Sequence, residues 1–225
     1  MIEWAPFVLT FKLAAVTTTL LFLMSVPLAY WLTYSRYKIK YVVEVLVSLP
    51  LILPPSVLGF YLLLAFSPQN TFGRFLEQYF DLRLVFTFEG LIIASILYSL
   101  PFMVQPLHNG FKMLPSSLLE ASYTLGKGRL STLTKVLLPN IRTSLITAVV
   151  LSFAHTVREF GVVLMVGGNI PRETRLVSIA LYDEVEAMNY EKANLYAMIL
   201  LLFAFLTLLI VYVVNSRSRT SNQHT

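Results

Sequence analysis

Long apolar runs separated by short charged patches make up most of the chain, and their lengths set its class. A bilayer is crossed by about 20 mostly apolar helical residues. Five stretches reach or approach that: Val8 to Tyr34, Val42 to Phe66, Gly90 to His108, Asn140 to Val157 and Leu195 to Val214. The fourth is interrupted by His155, Arg158 and Glu159, and the run "FGVVLMVGG" behind it either extends the span or re-enters. Segments 67–89 and 168–192 fall outside the spans; "RETRLVSIALYDEVEAM" in the second predicts a helix lying on the membrane surface. The pattern predicts an all-α polytopic membrane protein of about five transmembrane helices, one domain over 1–215 followed by a polar, frayed cytoplasmic tail over 216–225.

Composition agrees with a bilayer as solvent. The chain has 225 residues, 56% of them hydrophobic and 13% charged, with a mean hydropathy of +0.71. Cysteine is absent and the three histidines, His108, His155 and His224, are scattered, so no metal site and no cofactor are called for. The net charge of +5 contains no Lys/Arg block dense enough to track nucleic acid. The opening "MIEW" lacks a basic n-region, and the first span is expected to be a permanent helix.

Charge placement then orients the spans, because Lys and Arg in short loops are retained on the cytoplasmic side. Loop 36–40, the central loop around 112–142 and the tail hold ten cations against two acids, whereas the other face holds seven cations against ten acids. The N-terminus is expected outside and the C-terminus in the cytoplasm, in an inner (cytoplasmic) membrane.

The most polar interior run, "EASYTLGKGRLSTLTKVLLPN" from Glu120 to Asn140, thus faces the cytoplasm. Ser117 with Glu120 three residues on predicts a capping box, and Gly126 predicts the left-handed residue that ends the helix. A second short helix fits "STLTKVLL", and Pro139, having no amide proton, suits the first turn of the next span. The result is a helix–turn–helix element over about 115–139. Its plain alternative is an interfacial loop burying Leu118, Leu119 and Leu125 among headgroups.

The second span carries Pro50, Pro54 and Pro55, then Ser56 and Gly59. Each interior proline removes a helix hydrogen bond, and broken backbone exposed to lipid is not tolerated. This stretch reads as a pathway-lining or gating segment, with an ordinary kink in a packed bundle as the alternative. Arg158 and Glu159 are adjacent, so on a helix they diverge by ~100° and each needs a different partner; structural and pathway roles both stand for them. The outer acids Asp183, Glu184, Glu186 and Glu191 read as a solvated face or as part of a dock.

The run Glu120, Ala121, Ser122, three residues, Gly126, nine residues, Val136, Leu137, Leu138, Pro139 resembles the E-A-A signature of ABC importer membrane subunits. It departs only in Ser122 for alanine and Val136 for isoleucine. "PLILPPSVLGFYLL" and "VREFGVVLMVGGNIP", the latter containing Glu159, Phe160 and Gly161, are similar to stretches of the molybdate permease subunits. The resemblance implies a type I ABC importer permease fold and a coupling-helix pair docking into separate ATP-binding cassette subunits. It further implies an external oxyanion-binding protein as partner and molybdate or tungstate as substrate, with sulfate or another substrate of the same importer class as the alternative. Five helices leave little room for an internal path, so a homodimer in membrane lipid is expected.

The chain holds no G-x-x-x-x-G-K-[ST] loop, so ATP hydrolysis belongs to a partner and the subunit itself is non-catalytic. A stand-alone secondary transporter predicts inverted repeats or a chain of buried carboxylates, and neither is visible in the sequence. An intramembrane enzyme needs chemistry, yet Asp81 and Asp183 are the only aspartates, both in loops, and no H-E-x-x-H occurs.

Overall fold

The structure, a computed structural model, describes residues 3–221, with side chains through Val213. Residues 222–225 of the expected tail, His224 among them, lie outside the described residues, as do residues 1–2. Helix α1 spans Ala5–Tyr34. Helix α2, Ile39–Ser48, runs on through a 3₁₀ turn, Leu49–Leu51, and α3 spans Pro55–Phe66. Then come α4, Thr71–Phe80, and α5, Phe88–Lys112. The central segment is α6, Ser116–Thr124, and α7, Arg129–Asn140, whose middle is a π turn at Leu133–Leu137. The remainder is α8, Arg142–Val157; α9, Gly161–Gly167; α10, Val177–Glu186; and α11, Tyr190–Ser221.

Helices α1, α5 and the C-terminal stretch α11 are long and apolar enough to cross a membrane singly. The other two expected spans are bent. Ile39–Leu51 and Pro55–Phe66 meet at 110°, and Arg129–Asn140 and Arg142–Val157 at 82°. The first bend has a local cause. Pro54 and Pro55 supply no amide protons, and Pro54 sits in an extended conformation (φ −55°, ψ 136°) that ends one helical run and starts the next. The fourth span does end before the "FGVVLMVGG" run, which forms the separate helix α9.

Helices α1, α5 and α8 pack together as the centre. Where they meet α7, Leu21, Ala29 and Leu32 of α1, Met103, Leu107 and Phe111 of α5, Leu137 of α7 and Ala148 of α8 form one buried cluster. A second cluster joins α3 to α9 and α5 through Leu62, Phe66, Ala94, Val162 and Val166. A third ties Leu13, Leu91, Val163 and Ile179. His108 and His155 are both buried: His155 stacks on Phe102 at 3.7 Å between centroids, and its Nδ1 lies 3.1 Å from Ser99 Oγ.

Three expectations need correction. α6 starts at Ser116 with Pro115 as its extended N-cap and no side-chain cap, so Ser117 is already inside the first turn and makes no capping box with Glu120. Pro139 lies in the last turn of α7, ahead of the break at Ile141, and not in the first turn of the span that follows. The final helix continues to Ser221, so the frayed tail expected from 216 is helical over its first six residues.

Candidate functional site

Two groups of sequence-selected residues form two distinct constructions. The first is the elbow made by α6 and α7. Gly126 has φ +73°, and the amides of Lys127 and Gly126 bond back to the carbonyls of Ser122 (3.1 Å) and Tyr123 (2.9 Å). That paired closure is a Schellman motif, which needs a left-handed residue where Gly126 stands. A Cβ on Gly126 would meet nothing within 4 Å, so the glycine is there for its backbone and not for lack of space.

Ser122 and Thr132 close the elbow from inside, their hydroxyls 2.8 Å apart and both buried. Serine in place of the signature's second alanine is therefore small enough for close approach and also tied across the turn. Ala121 and Glu120 are exposed on the other side of α6, together with Leu125 and, on α7, Leu130. Leu125 is 76% exposed, so it does not pack onto the bundle, whereas Leu119 does.

The elbow is fixed to the bundle at its far end. Leu137 is fully buried, Leu138 packs against the same cluster, and Tyr123 reaches Tyr30 of α1, hydroxyl to hydroxyl, at 3.3 Å. The π turn directly precedes Pro139; there the Leu138 amide bonds to the Leu133 carbonyl, five residues back. A regular turn at this point would drive the proline ring against the Lys135 carbonyl, and the wider turn gives it room. Asn140 Nδ2 donates to the Val136 carbonyl at 2.7 Å, satisfying an acceptor beside the irregularity.

The second construction joins the proline-rich stretch to the Glu159–Gly161 stretch, which are about a hundred residues apart in sequence. α3 crosses α9 at two glycines. A Cβ on Gly59 would stand 2.9 Å from Met165 Cβ and 3.1 Å from Val162 Cα, and one on Gly161 would stand 2.9 Å from Pro55 Cβ. Each glycine makes room for the other helix. Glu159 is 4% exposed, and its Oε1 accepts from the Val162 amide at 2.9 Å, capping α9, while Ser178 Oγ donates to its backbone carbonyl at 2.6 Å.

Arg158 points elsewhere, as adjacency on a helix requires. Its guanidinium lies 5.9 Å from the Phe102 ring centre and lines an apolar crevice of about 880 Å³ with His155, Tyr182 and Leu201. Phe160 shares that lining and its ring lies 5.1 Å from that of Tyr182. Pro50 sits in the 3₁₀ turn before the bend, whereas Pro54, Pro55 and Ser56 are exposed at the bend itself. The crevice beside Arg158 and Phe160 is lined by no residue of the elbow.

The acids expected on the outer face are mostly engaged locally. Asp183 pairs with Arg175 at 2.9 Å and accepts from Asn169, Glu184 faces Lys192 at 3.6 Å, and Glu186 accepts from Tyr182. Sequence reasoning missed Thr132, Tyr30 and α4. Thr132 and Tyr30 matter only through partners ten and about ninety residues away, for which one sequence carries no signal. For α4, Asn70 before a short amphipathic run was the available one, and its side chain does accept from the Phe72 amide at 3.4 Å.

A multi-pass bundle with broken second and fourth spans and a glycine-cornered elbow describes a class of transport protein. The chain belongs to the family described as binding-protein-dependent transport system inner membrane component, which matches residues 22–220. It is 48% identical over 205 residues to the molybdenum transport system permease protein ModB of Azotobacter vinelandii, covering 91% of this chain and 90% of that protein. It is 33% identical to the sulfate transport system permease protein CysT of Salmonella typhimurium, covering 84% of this chain and 68% of that one. In fold it is similar to an inward-facing form of the MetNI methionine ABC transporter, with a TM-score of 0.64, 20% identity, and coverage of 92% and 93% of the two chains. The type I ABC importer permease fold follows, as does a multi-pass place in the inner membrane.

Proposed function

We propose that the chain is the permease subunit of an ATP-driven oxyanion importer and that its substrate is molybdate. The carrying observation is the 48% identity to ModB along nine-tenths of both chains, with the elbow residues and the α3–α9 crossing falling inside the matched family region. The similarity to CysT supports a tetrahedral dianion as the class of cargo and makes sulfate the competing substrate.

In this reading Glu120, Ala121, Ser122, Gly126, Leu138 and Pro139 form the element that docks on a separate ATPase, with the N-terminus outside and the C-terminus in the cytoplasm. The exposed face of α6 with Leu125 and Leu130 supplies the docking surface, and buried Leu137 carries displacement into the centre of the bundle. Pro50, Pro54, Pro55, Ser56 and Gly59, with Arg158, Glu159, Phe160 and Gly161, line or support the path.

Two copies surround that path. Helix-breaking backbone exposed at 54–56 is untenable against lipid, and a second copy or an aqueous route between copies supplies the cover. An external binding protein delivers the anion, and the permease performs no chemistry of its own. The test is co-purification with the ATPase and the binding protein, followed by uptake of radiolabelled molybdate and sulfate into vesicles with ATP inside. Molybdate uptake that needs all three components is expected. Preference for sulfate would reassign the cargo, and uptake without the ATPase would overturn the mechanism.

A further inference from the structure

Helix α4 is not used by any step proposed above, yet its ten residues divide into three edges. At ~100° per residue, Phe72, Phe75 and Tyr79 fall within an arc of about 60°, Gly73, Leu76 and Phe80 within a second such arc, and Arg74, Gln78 and Thr71 within a third. The edges differ in what they meet. Gly73 is buried and Leu76 packs against the cluster under α3 and α5. A Cβ on Gly73 would collide with the carbonyl oxygens of Phe66 and Ser67, so this edge is seated on the end of α3 at Gly73 and Leu76, while Phe80 at its far end is 65% exposed.

The aromatic edge meets less: Phe72 touches the ring of Phe66 at 6.4 Å between centroids, and Phe75 lies against Tyr79 and Phe80 of its own helix. Phe72, Phe75 and Tyr79 are 50%, 47% and 74% exposed. The third edge is polar and exposed, and Glu77 beside it pairs with Arg83 at 2.7 Å.

We propose that α4 is a boundary helix whose aromatic edge lies in the headgroup region of the bilayer, so that the partner of this surface is lipid. Chain continuity keeps α4 near the start of α5, a helix long and apolar enough to cross a membrane: seven residues separate the two, and four separate α4 from the end of α3. It therefore sits at the mouth of the apolar layer, where Tyr and Phe are favoured because one side of the ring is dry and the other wet. With one edge on protein, one aromatic and one charged, the helix matches a line where protein, lipid and water meet. The seating of Gly73 sets its rotation, so the aromatic edge cannot roll away from the lipid without losing that contact. This surface carries no cationic cluster, so attachment rests on apolar and interfacial contact and not on anionic lipid.

The test exploits the absence of cysteine from the chain. Single replacements Phe72→Cys and Tyr79→Cys on one edge, and Thr71→Cys and Gln78→Cys on the other, carry a nitroxide in the full chain reconstituted in phosphatidylethanolamine–phosphatidylglycerol vesicles. Collision with oxygen, which partitions into lipid, and with a water-soluble nickel chelate are measured at each site. At 72 and 79 the oxygen-to-chelate ratio is expected to be several-fold higher than at 71 and 78. Equal chelate access on both edges would place α4 in water and overturn the proposal. Shielding of 72 and 79 from both reagents would assign the edge to a protein, either a second copy or an external binding protein, and would overturn it equally. Two sites per edge keep the comparison intact if one variant fails to insert. Neither outcome depends on which anion is carried.

Discussion

Elbow and crossing both rely on glycine and proline, and they rely on them for opposite reasons. In the elbow Gly126 stands in open space and supplies a positive φ; in the crossing Gly59 and Gly161 have ordinary backbones and supply missing volume. Proline differs in the same way. Pro139 is tolerated by a widened turn inside a continuous helical run, whereas Pro54 and Pro55 end one run and begin another. One construction is specified locally and can be read along the chain. The other is specified only when two distant segments are laid together.

Replacement experiments can break this contrast. The largest effect is expected for Gly59→Leu, whose side chain has no room beside Met165 and Val162; overpacking of this kind costs about 3 kcal/mol and should appear as a lowered thermal midpoint in detergent. An unchanged midpoint would mean that α3 does not cross α9 as described. Gly126→Val comes next. It meets no obstacle, but a β-branched residue in the left-handed region costs roughly 1–2 kcal/mol, so membrane insertion should persist while hydrolysis by the partner no longer yields uptake. Gly126→Asn should keep most of the coupling, and equal behaviour of the two variants would dismiss the backbone argument.

Smaller effects sharpen the same distinction. Ser122→Ala leaves the Thr132 hydroxyl without its buried partner and should cost on the order of 1 kcal/mol; adding Thr132→Val should recover much of that loss, which a double-mutant cycle measures. Tyr123→Phe removes a bond at an exposed site to Tyr30 and is expected to cost about 0.5 kcal/mol or less, detectable as a slight loss of coupling and no change in assembly.

Much of the elbow was legible in advance because its determinants are short-range. Gly126 announces a left-handed corner, and the fixed gaps from Glu120 to Pro139 matched a known signature. The capping box did not form because Pro115 already begins the helix in an extended conformation, which moves Ser117 two residues too far inside. Apolar length gave the spans but not their bends, since a hydropathy window cannot tell one straight helix from two at 110°. Glu159 as the cap of α9 was out of reach for a related reason. Its partner amide is only three residues away, but Glu159 itself is 4% exposed and its carbonyl is held by Ser178 of α10, nineteen residues on.

The wide turn at Leu133–Leu137 gives the spacing of the signature a physical meaning. Each residue added to or taken from a helix rotates everything after it by ~100°. Leu130 ahead of the turn faces outward and Leu137 beyond it faces the interior, so the count of residues between Gly126 and Pro139 works as a phase setting. A one-residue deletion there would keep every other side chain of the elbow and still aim those beyond it at the wrong neighbours.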